Sequence, residues 1–188
     1  MRIMIISSSP NKDGLTAACE EQARLGVTEA GAEAAVVRLN DQNIGKCHAC
    51  DNGWGTCLKK NTCQVTDDFQ EYHALMKDMD GFIFITPVYW GDMSESVKAF
   101  FDRVRRCEGF KKENQFLLGK PVICVAAAGG SGRGCLSCLT QFERFIEHMR
   151  AKLVDIVGIT RWSREYKLKD IYNASAHLAK LPTEGQRG

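Results

Sequence analysis

The chain contains 188 residues, of which 44% are apolar and 26% charged, and its 25 basic and 23 acidic residues give a formal net charge of +2. At about 100–200 residues per domain, this length favours a single globular domain, and the balanced charge is not typical of nucleic-acid-binding proteins. The longest apolar run, residues 122–128, is much shorter than the roughly 18 residues of a membrane span. Residues 3–6 are too short for the apolar part of a signal peptide. We therefore expect a cytoplasmic protein with no nucleic-acid or membrane partner.

Five short apolar segments rich in Ile, Val and Phe alternate with amphipathic segments. Continuously apolar strands are typical of a parallel sheet that is buried on both faces. Their alternation with helical patterns, the first over residues 14–30, predicts a doubly wound α/β sheet. The predicted strands are residues 2–7, 34–39, 81–86, 122–128 and 152–160.

The loop of residues 7–16 leaves the first strand and opens the first helix. Its serines, and the free backbone N–H groups of a helix N-terminus, can bind a phosphate without an arginine. The same residue types are common turn formers, so the loop alone leaves both interpretations open. No G-x-G-x-x-G follows the strand and no G-x-x-x-x-G-K-[ST] occurs in the chain. Their absence argues against a dinucleotide-binding Rossmann domain and a P-loop NTPase.

Four of the nine cysteines lie close together in a long insertion, residues 40–66; they are Cys47, Cys50, Cys57 and Cys63. An odd number of cysteines without a signal peptide favours reduced thiols over a disulfide framework. Four thiolates on one loop suit a [4Fe–4S] cluster. A zinc site, for which the spacing between Cys57 and Cys63 is long, and metal-free thiols are the alternatives that the spacing leaves open.

Two further loops follow the third and fourth predicted strands. In residues 86–92, Tyr89 and Trp90 could form an apolar wall for a planar ring, or they could simply cap the core. Residues 128–138 contain four glycines, which permit close approach of a flat ligand to the backbone. Ligands of such sheets bind at the carboxyl ends of the strands. The three loops together therefore favour a mononucleotide with a large planar ring.

The last segment of the chain, residues 161–188, is polar and contains one predicted helix near residues 170–180. We accordingly divide the chain into a nucleotide-binding domain, residues 1–160, which carries the insertion 40–66, and a C-terminal tail, residues 161–188.

Three stretches make the chain resemble a known family: the cysteines of the insertion with the Asp67-Asp68 pair that follows them, residues 80–91 (DGFIFITPVYWG), and residues 98–103 (KAFFDR). The family is that of the flavodoxin-like NAD(P)H-dependent FMN reductases, in particular the iron–sulfur flavoprotein branch, and the resemblance covers about residues 1–153. It implies a flavodoxin fold, with a five-stranded parallel sheet in the order 2-1-3-4-5 and helices on both faces.

The resemblance also implies FMN as cofactor, with its phosphate near Ser9, Asn11, Leu15 and Thr16 and its ring against the second and third loops. The expected FMN-binding residues are Ser7, Ser9, Asn11, Gly14, Leu15, Thr16, Pro87, Val88, Tyr89, Trp90, Gly91, Gly129 and Gly130. The expected cluster ligands are Cys47, Cys50, Cys57 and Cys63. The chain departs from the family at Ser8, which stands where a glycine is usual, and at Gly53, which stands where the compact motif has its third cysteine.

The function that the resemblance implies is an FMN-dependent oxidoreductase. Electrons would pass from NAD(P)H through FMN to a small acceptor, namely a quinone, a nitroaromatic compound or a flavin, and no catalytic side chain is required because the cofactor does the chemistry. The alternative is an iron–sulfur flavoprotein that carries electrons to a redox partner such as a ferredoxin. A redox- or metal-sensing module without flavin turnover is a third hypothesis. Family members commonly form homodimers or homotetramers.

Overall fold

The structure, a computed structural model, describes residues 1–182 and contains a six-stranded sheet between two layers of helices. The strands are β1 (Arg2–Ser7), β2 (Glu33–Arg38), β3 (Gly81–Tyr89), β4 (Asp92–Met93), β5 (Pro121–Ala128) and β6 (Lys152–Thr160). The helices are α1 (Leu15–Glu29), α2 (Thr56–Lys60), α3 (Phe69–Leu75), α4 (Glu95–Glu108), α5 (Cys135–His148) and α6 (Arg164–Leu178).

Five of the strands are parallel and lie in the order β2-β1-β3-β5-β6, while β4 pairs antiparallel with the end of β3. Since β5 and β6 are the fourth and fifth parallel strands along the chain, this is the predicted order 2-1-3-4-5, and the flavodoxin-like fold is confirmed. The prediction was wrong at the end of β3. This strand continues to Tyr89, so that part of the predicted loop 86–92 is strand.

Alternating residues of the central strands face two separate apolar cores, because side chains of a strand point to opposite faces. Phe82 and Phe84 of β3 pack with the aromatic side chains of α3, α4 and α5. Ile83 and Ile85 pack on the other face, against α1 and α6. Burial on both faces explains why β1, β3 and β5 are continuously apolar.

Helix α6 begins at Arg164, six residues before the predicted helix, and packs tightly on α1. Any side chain at Gly26 of α1 would clash with the backbone carbonyl of Tyr172. Ile171 and Leu178 of α6 belong to the core on this face of the sheet. No helix within residues 1–182 is long and apolar enough to cross a membrane.

A chain of three buried hydroxyl groups joins the ends of β1 and β3 to the start of α4. Ser94 Oγ donates to Ser8 Oγ over 2.8 Å, and Ser8 Oγ donates to Thr86 Oγ1 over 3.0 Å. The same Thr86 oxygen accepts the backbone N–H of Ser94 at 3.0 Å. Because buried polar groups need partners, this chain fixes the relative positions of three segments. The residue that replaces the family's glycine, Ser8, is one of its members.

A buried carboxylate, that of Glu108, lies at the C-terminal end of α4. Glu108 accepts hydrogen bonds from Lys111 Nζ at 2.7 Å and from the backbone N–H of Phe116 at 2.9 Å, and its Oε1 lies 2.7 Å from Nε2 of His73. Burial acts to raise the pKa of Glu108, but these contacts outweigh it and hold the pKa below its usual 4.5. The ionised form is therefore the one that the fold stabilises.

We predict that Thr86→Val destabilises the protein by about 1–3 kcal/mol, because the Ser94 N–H and the Ser8 hydroxyl lose a buried acceptor. Urea unfolding measures the change. Thr28→Val, at an exposed position of α1, is the control and should change stability by less than about 0.5 kcal/mol. Equal stabilities of the Thr86 and Thr28 variants would contradict this role.

We also predict that Glu108→Gln lowers stability at pH 7 by about 1–3 kcal/mol, since its partners lose a charged acceptor. A carboxyl group with a lowered folded-state pKa stabilises above its unfolded value and loses that effect as the pH falls. The deficit of the variant should therefore shrink below pH 4.5. Urea unfolding between pH 7 and 3.5, with the exposed Glu113→Gln as control, tests this. A deficit that stays constant with pH would refute it.

Candidate functional site

The segment between β1 and α1 presents unsatisfied polar groups at the carboxyl end of the sheet. The hydroxyl of Ser7 is fully buried and has no hydrogen-bond partner among residues 1–182. Helix α1 has no side-chain cap from Gly14 and no acidic residue in its first turn. The first N–H groups of a helix have no partner inside the helix, and with the helix dipole they attract anions. These features suit a phosphate group.

The remaining predicted phosphate-binding residues lie around this helix end. Asn11 is exposed, and its backbone carbonyl accepts the hydroxyl of Ser9 over 2.6 Å, which fixes the turn. Thr16 is buried in the first turn of α1, and Leu15 is half-buried against the apolar core.

The second predicted loop is a hairpin rather than a flat wall. Val88 pairs with Met93 and Tyr89 with Asp92, so that Trp90 and Gly91 form a two-residue turn. Their φ angles of +53° and +79° have the signs of a type I′ turn. Glycine adopts this conformation readily, whereas for tryptophan it is unusual and strained. The Trp90 side chain is fully exposed and Tyr89 is 40% exposed.

The predicted loop 86–92, with its apolar wall of Tyr89 and Trp90, differs from the structure at two positions. Pro87 lies inside β3 and is buried, so its ring belongs to the strand and not to an exposed loop. Trp90 was expected beside the strand end, but it projects from the tip of the hairpin. Sequence reasoning missed the hairpin because tryptophan is not a residue that type I′ turns favour.

The third loop meets this hairpin directly. Ser137 Oγ donates to the carbonyl of Gly91 over 2.7 Å, and a side chain at Gly134, whose φ is +83°, would collide with Gly91. A cleft of about 450 Å³ opens between the two segments; its lining residues are Val88, Trp90, Gly91, Ser131, Arg133 and Gly134. At Gly129 and Gly130, which follow β5, the space where a Cβ would stand is open. This arrangement can admit a flat ligand.

The four cysteines of the insertion line a single small cavity. The cavity has a volume of about 20 Å³, and Cys107 of α4 lines it together with Cys47, Cys50, Cys57 and Cys63. All nine cysteines are free thiols. No group of three or more histidine, cysteine or acidic side chains within residues 1–182 is arranged to hold a single metal ion.

Arg103 of α4 anchors both ends of this cysteine segment. Its Nη1 donates to the carbonyl of Gly45 at 3.0 Å, and its Nη2 to the carbonyl of Val65 at 3.2 Å. The two Nη atoms also hold Asp67 at 2.6 and 2.8 Å. The guanidinium lies 4.2 Å from the ring centroid of Phe69. The backbone on both sides of the cysteine segment is thus hydrogen-bonded to the same side chain.

Arg103 and Asp67 each stabilise the ionised form of the other. Burial acts to raise the pKa of Asp67, but hydrogen bonds from Arg103 and from backbone N–H groups outweigh it and hold the pKa below its usual value. Burial likewise acts to lower the pKa of Arg103, and the contacts with Asp67 and Cys63 outweigh that effect and raise it. Burial, together with the charges of Cys63 and Cys57, raises the pKa of Cys107 to about 12.

Sequence reasoning did not assign Arg103, Arg106 or Cys107 to the cysteine site, although all three line the cavity. The sequence did contain one signal. Positions 106 and 107 follow position 103 by three and four residues, which places all three side chains on one face of a helix. Their proximity to the insertion, which precedes them by some forty residues, is set by tertiary packing.

The chain has relatives among known proteins, both in sequence and in structure. The chain matches the NADPH-dependent FMN reductase family over residues 1–160. It is 32% identical over 131 residues to an iron–sulfur flavoprotein of Methanocaldococcus jannaschii, a match that covers 69% of this chain and 65% of that protein. It is 28% identical over 169 residues to an iron–sulfur flavoprotein of Archaeoglobus fulgidus, covering 87% of this chain and 83% of the relative. The chain thus spans just under two thirds of the first relative and most of the second.

The fold is similar to those of solved oxidoreductases. An NAD(P)H:quinone oxidoreductase from Methanothermobacter marburgensis has a TM-score of 0.76 at 17% identity, with 95% of this chain and 96% of that chain covered. An azoreductase from Bacillus anthracis has a TM-score of 0.66 at 11% identity, with 95% and 98% covered. At these identities the likeness shows the fold alone. The match over residues 1–160 shows more: this chain belongs to the NADPH-dependent FMN reductase family.

Proposed function

We propose that the protein binds FMN at the carboxyl edge of its sheet and passes electrons from NAD(P)H to a small acceptor, such as a quinone, a nitroaromatic compound or a free flavin. The observation that supports this most directly is the buried, unpartnered hydroxyl of Ser7 beside an uncapped helix N-terminus. When bound, FMN would supply the hydride and electron chemistry, so the chain has only to hold and orient it.

The phosphate end of FMN would be held by the segment between β1 and α1. Backbone N–H groups at the start of α1, near Gly14, Leu15 and Thr16, can donate to phosphate oxygens. Ser7, Ser9 and the exposed Asn11 belong to the stretch of chain that leads from the end of β1 into this helix. No positively charged side chain is needed there, because the helix end itself carries partial positive charge.

The ring of FMN would lie at the ends of β3 and β5. Pro87 and Val88 end the buried part of β3, while Tyr89, Trp90 and Gly91 form the exposed hairpin. After β5, Gly129 and Gly130 leave backbone within reach of a planar ligand because they have no side chains. The aromatic side chains of the hairpin and the glycine backbone after β5 would together orient the flavin ring. They would leave one side of it accessible to NAD(P)H and to the electron acceptor.

Large apolar side chains are exposed near this cleft. Trp90 is fully exposed, Leu136 is 80% exposed and Trp162 is 64% exposed. Grouped apolar exposure of this kind marks interaction surfaces. We therefore include a homodimer or homotetramer in the proposal, with the cleft close to a subunit interface.

We predict that Ser7→Ala weakens FMN binding without destabilising the FMN-free protein. The hydroxyl has no partner to lose in the chain, whereas a lost hydrogen bond to a charged group costs about 1.5–3 kcal/mol, or roughly 10- to 150-fold in Kd. Quenching of FMN fluorescence on titration measures Kd, and urea unfolding measures stability. Ser175→Ala, a buried serine on α6, is the matched control and should bind FMN normally. A wild-type protein that does not bind FMN, or an unchanged Kd for Ser7→Ala, would count against the proposal.

The cysteine cavity favours a second candidate function, that of an electron carrier with a [4Fe–4S] cluster as well as FMN, acting on a redox partner such as a ferredoxin. Four thiols on one segment are a complete ligand set for such a cluster. Cys47, Cys50, Cys57 and Cys63 would hold the cluster, which would supply one-electron transfer. The basic Arg103 and Arg106 beside them suit its negative charge.

We predict that anaerobic reconstitution with iron and sulfide gives about four iron atoms per chain, and that Cys57→Ser abolishes most of this uptake. Cys135→Ser is the control, because Cys135 is also a half-buried thiol but lies outside the cavity. Iron and acid-labile sulfide analysis measures the content. Uptake well below four irons in the wild type, or equal uptake by both variants, would refute the proposed cluster. The proposed FMN reductase function would not be affected by that result.

A further inference from the structure

The side chain of Arg103 is fully buried and has one hydrogen-bond donor that the fold does not use. A guanidinium has five N–H groups. Four donor contacts, two from each Nη atom, go to Asp67, Gly45 and Val65. The Nε atom is buried and has no partner among the described residues.

The arrangement of Asp67 explains which donor is left over. The carboxylate is held end-on, by Nη1 at 2.6 Å and by Nη2 at 2.8 Å. A side-on pair would have used Nε and one Nη atom instead. The end-on pair therefore directs the Nε–H away from Asp67.

A buried N–H without an acceptor costs about 1–3 kcal/mol, so the surroundings of Nε are informative. Arg103 and Cys63 line the same cavity, and a side-chain contact with Cys63 contributes to the raised pKa of Arg103. Two oxygen acceptors of the cavity wall are engaged elsewhere: Gln64 Oε1 accepts the N–H of Thr56, and the Val65 carbonyl accepts Nη2. Five cysteines line the cavity together with Arg103, so sulfur is the acceptor that the cavity wall offers most often.

We propose that the Nε–H of Arg103 donates a hydrogen bond to a sulfur atom of the [4Fe–4S] centre, either the thiolate of Cys63 or a sulfide of the cluster, and thereby raises its reduction potential. The inference rests on the proposed cluster. Reduction adds negative charge to the sulfur atoms, so a donor aimed at them stabilises the reduced form more than the oxidised form. Arg103 is thus a positioning residue with two tasks, closing the cysteine segment and setting the potential of its centre.

The variant that tests the potential is Arg103→Lys, which keeps the positive charge but removes the Nε–H donor. Arg106→Lys is the matched control, because Arg106 lines the same cavity while its guanidinium stacks on Trp54. The reconstituted proteins are titrated anaerobically and followed by the electron paramagnetic resonance signal of the reduced cluster. Arg103→Lys should lower the equilibrium constant for one-electron reduction about tenfold, or 59 mV, and Arg106→Lys should leave it nearly unchanged. Equal shifts in the two variants would overturn the proposal.

A direct measurement covers the case in which Arg103→Lys does not assemble. Protein labelled with ¹⁵N in arginine Nε and reduced to the paramagnetic state should show a weak ¹⁵N coupling in pulsed electron paramagnetic resonance. The coupling should persist in Arg106→Lys, which assigns it to Arg103, the other arginine that lines the cavity. A fully loaded wild-type protein without this coupling contradicts the Arg103 contact alone. A wild-type protein that takes up no iron contradicts the proposed cluster, and this inference with it.

Discussion

Burial of β1, β3 and β5 on both faces is the constraint on which the rest of the molecule depends. The buried part of each strand is apolar until a polar residue or glycine stands towards its carboxyl end, at Ser7 of β1, at Thr86 of β3 and at Gly129 directly after β5. A polar side chain placed earlier would lie unsatisfied in one of the two cores, at a cost of a few kcal/mol. The apolar cores therefore restrict functional polar groups to the carboxyl edge of the sheet. The strand order places the carboxyl ends of β1, β3 and β5 side by side at this edge.

Helix α4 links this edge to the cysteine cavity. It begins next to Ser94, which belongs to the buried chain of hydroxyl groups, and its last two turns carry Arg103 and Cys107. Nine residues separate Ser94 from Arg103, a rise of roughly 14 Å along a helix. The two candidate sites are thus held by opposite ends of one rigid element, and buried, satisfied polar contacts fix its position at each end.

The parts of the structure that could be predicted from the sequence are those with a local signal. Apolar runs placed the parallel strands, and the positions of the loops followed from strand order. The hydroxyl chain could not be foreseen, because Ser8 meets Thr86 across 78 positions of the sequence. The contacts of Arg103 with Gly45, Val65 and Asp67 are equally distant, at 58, 38 and 36 positions. Trp90 misled the prediction for another reason, since its left-handed conformation opposes its intrinsic preference and is imposed by the pairing of β3 with β4.

The hydrogen bonds from Arg103 to residues 45 and 65 close the cysteine segment. This closure has a consequence for the order in which the folded protein and its proposed cluster assemble. The enclosed segment contributes no strand to the sheet, and its ends are held by hydrogen bonds with Arg103, Asp67 and Gln70. Opening such a segment requires much less free energy than global unfolding, as is usual for sub-global openings. For the proposed cluster, this implies an order of assembly in which the sheet folds first, the cysteine segment opens locally to take up iron and sulfide, and the hydrogen bonds of Arg103 then form again.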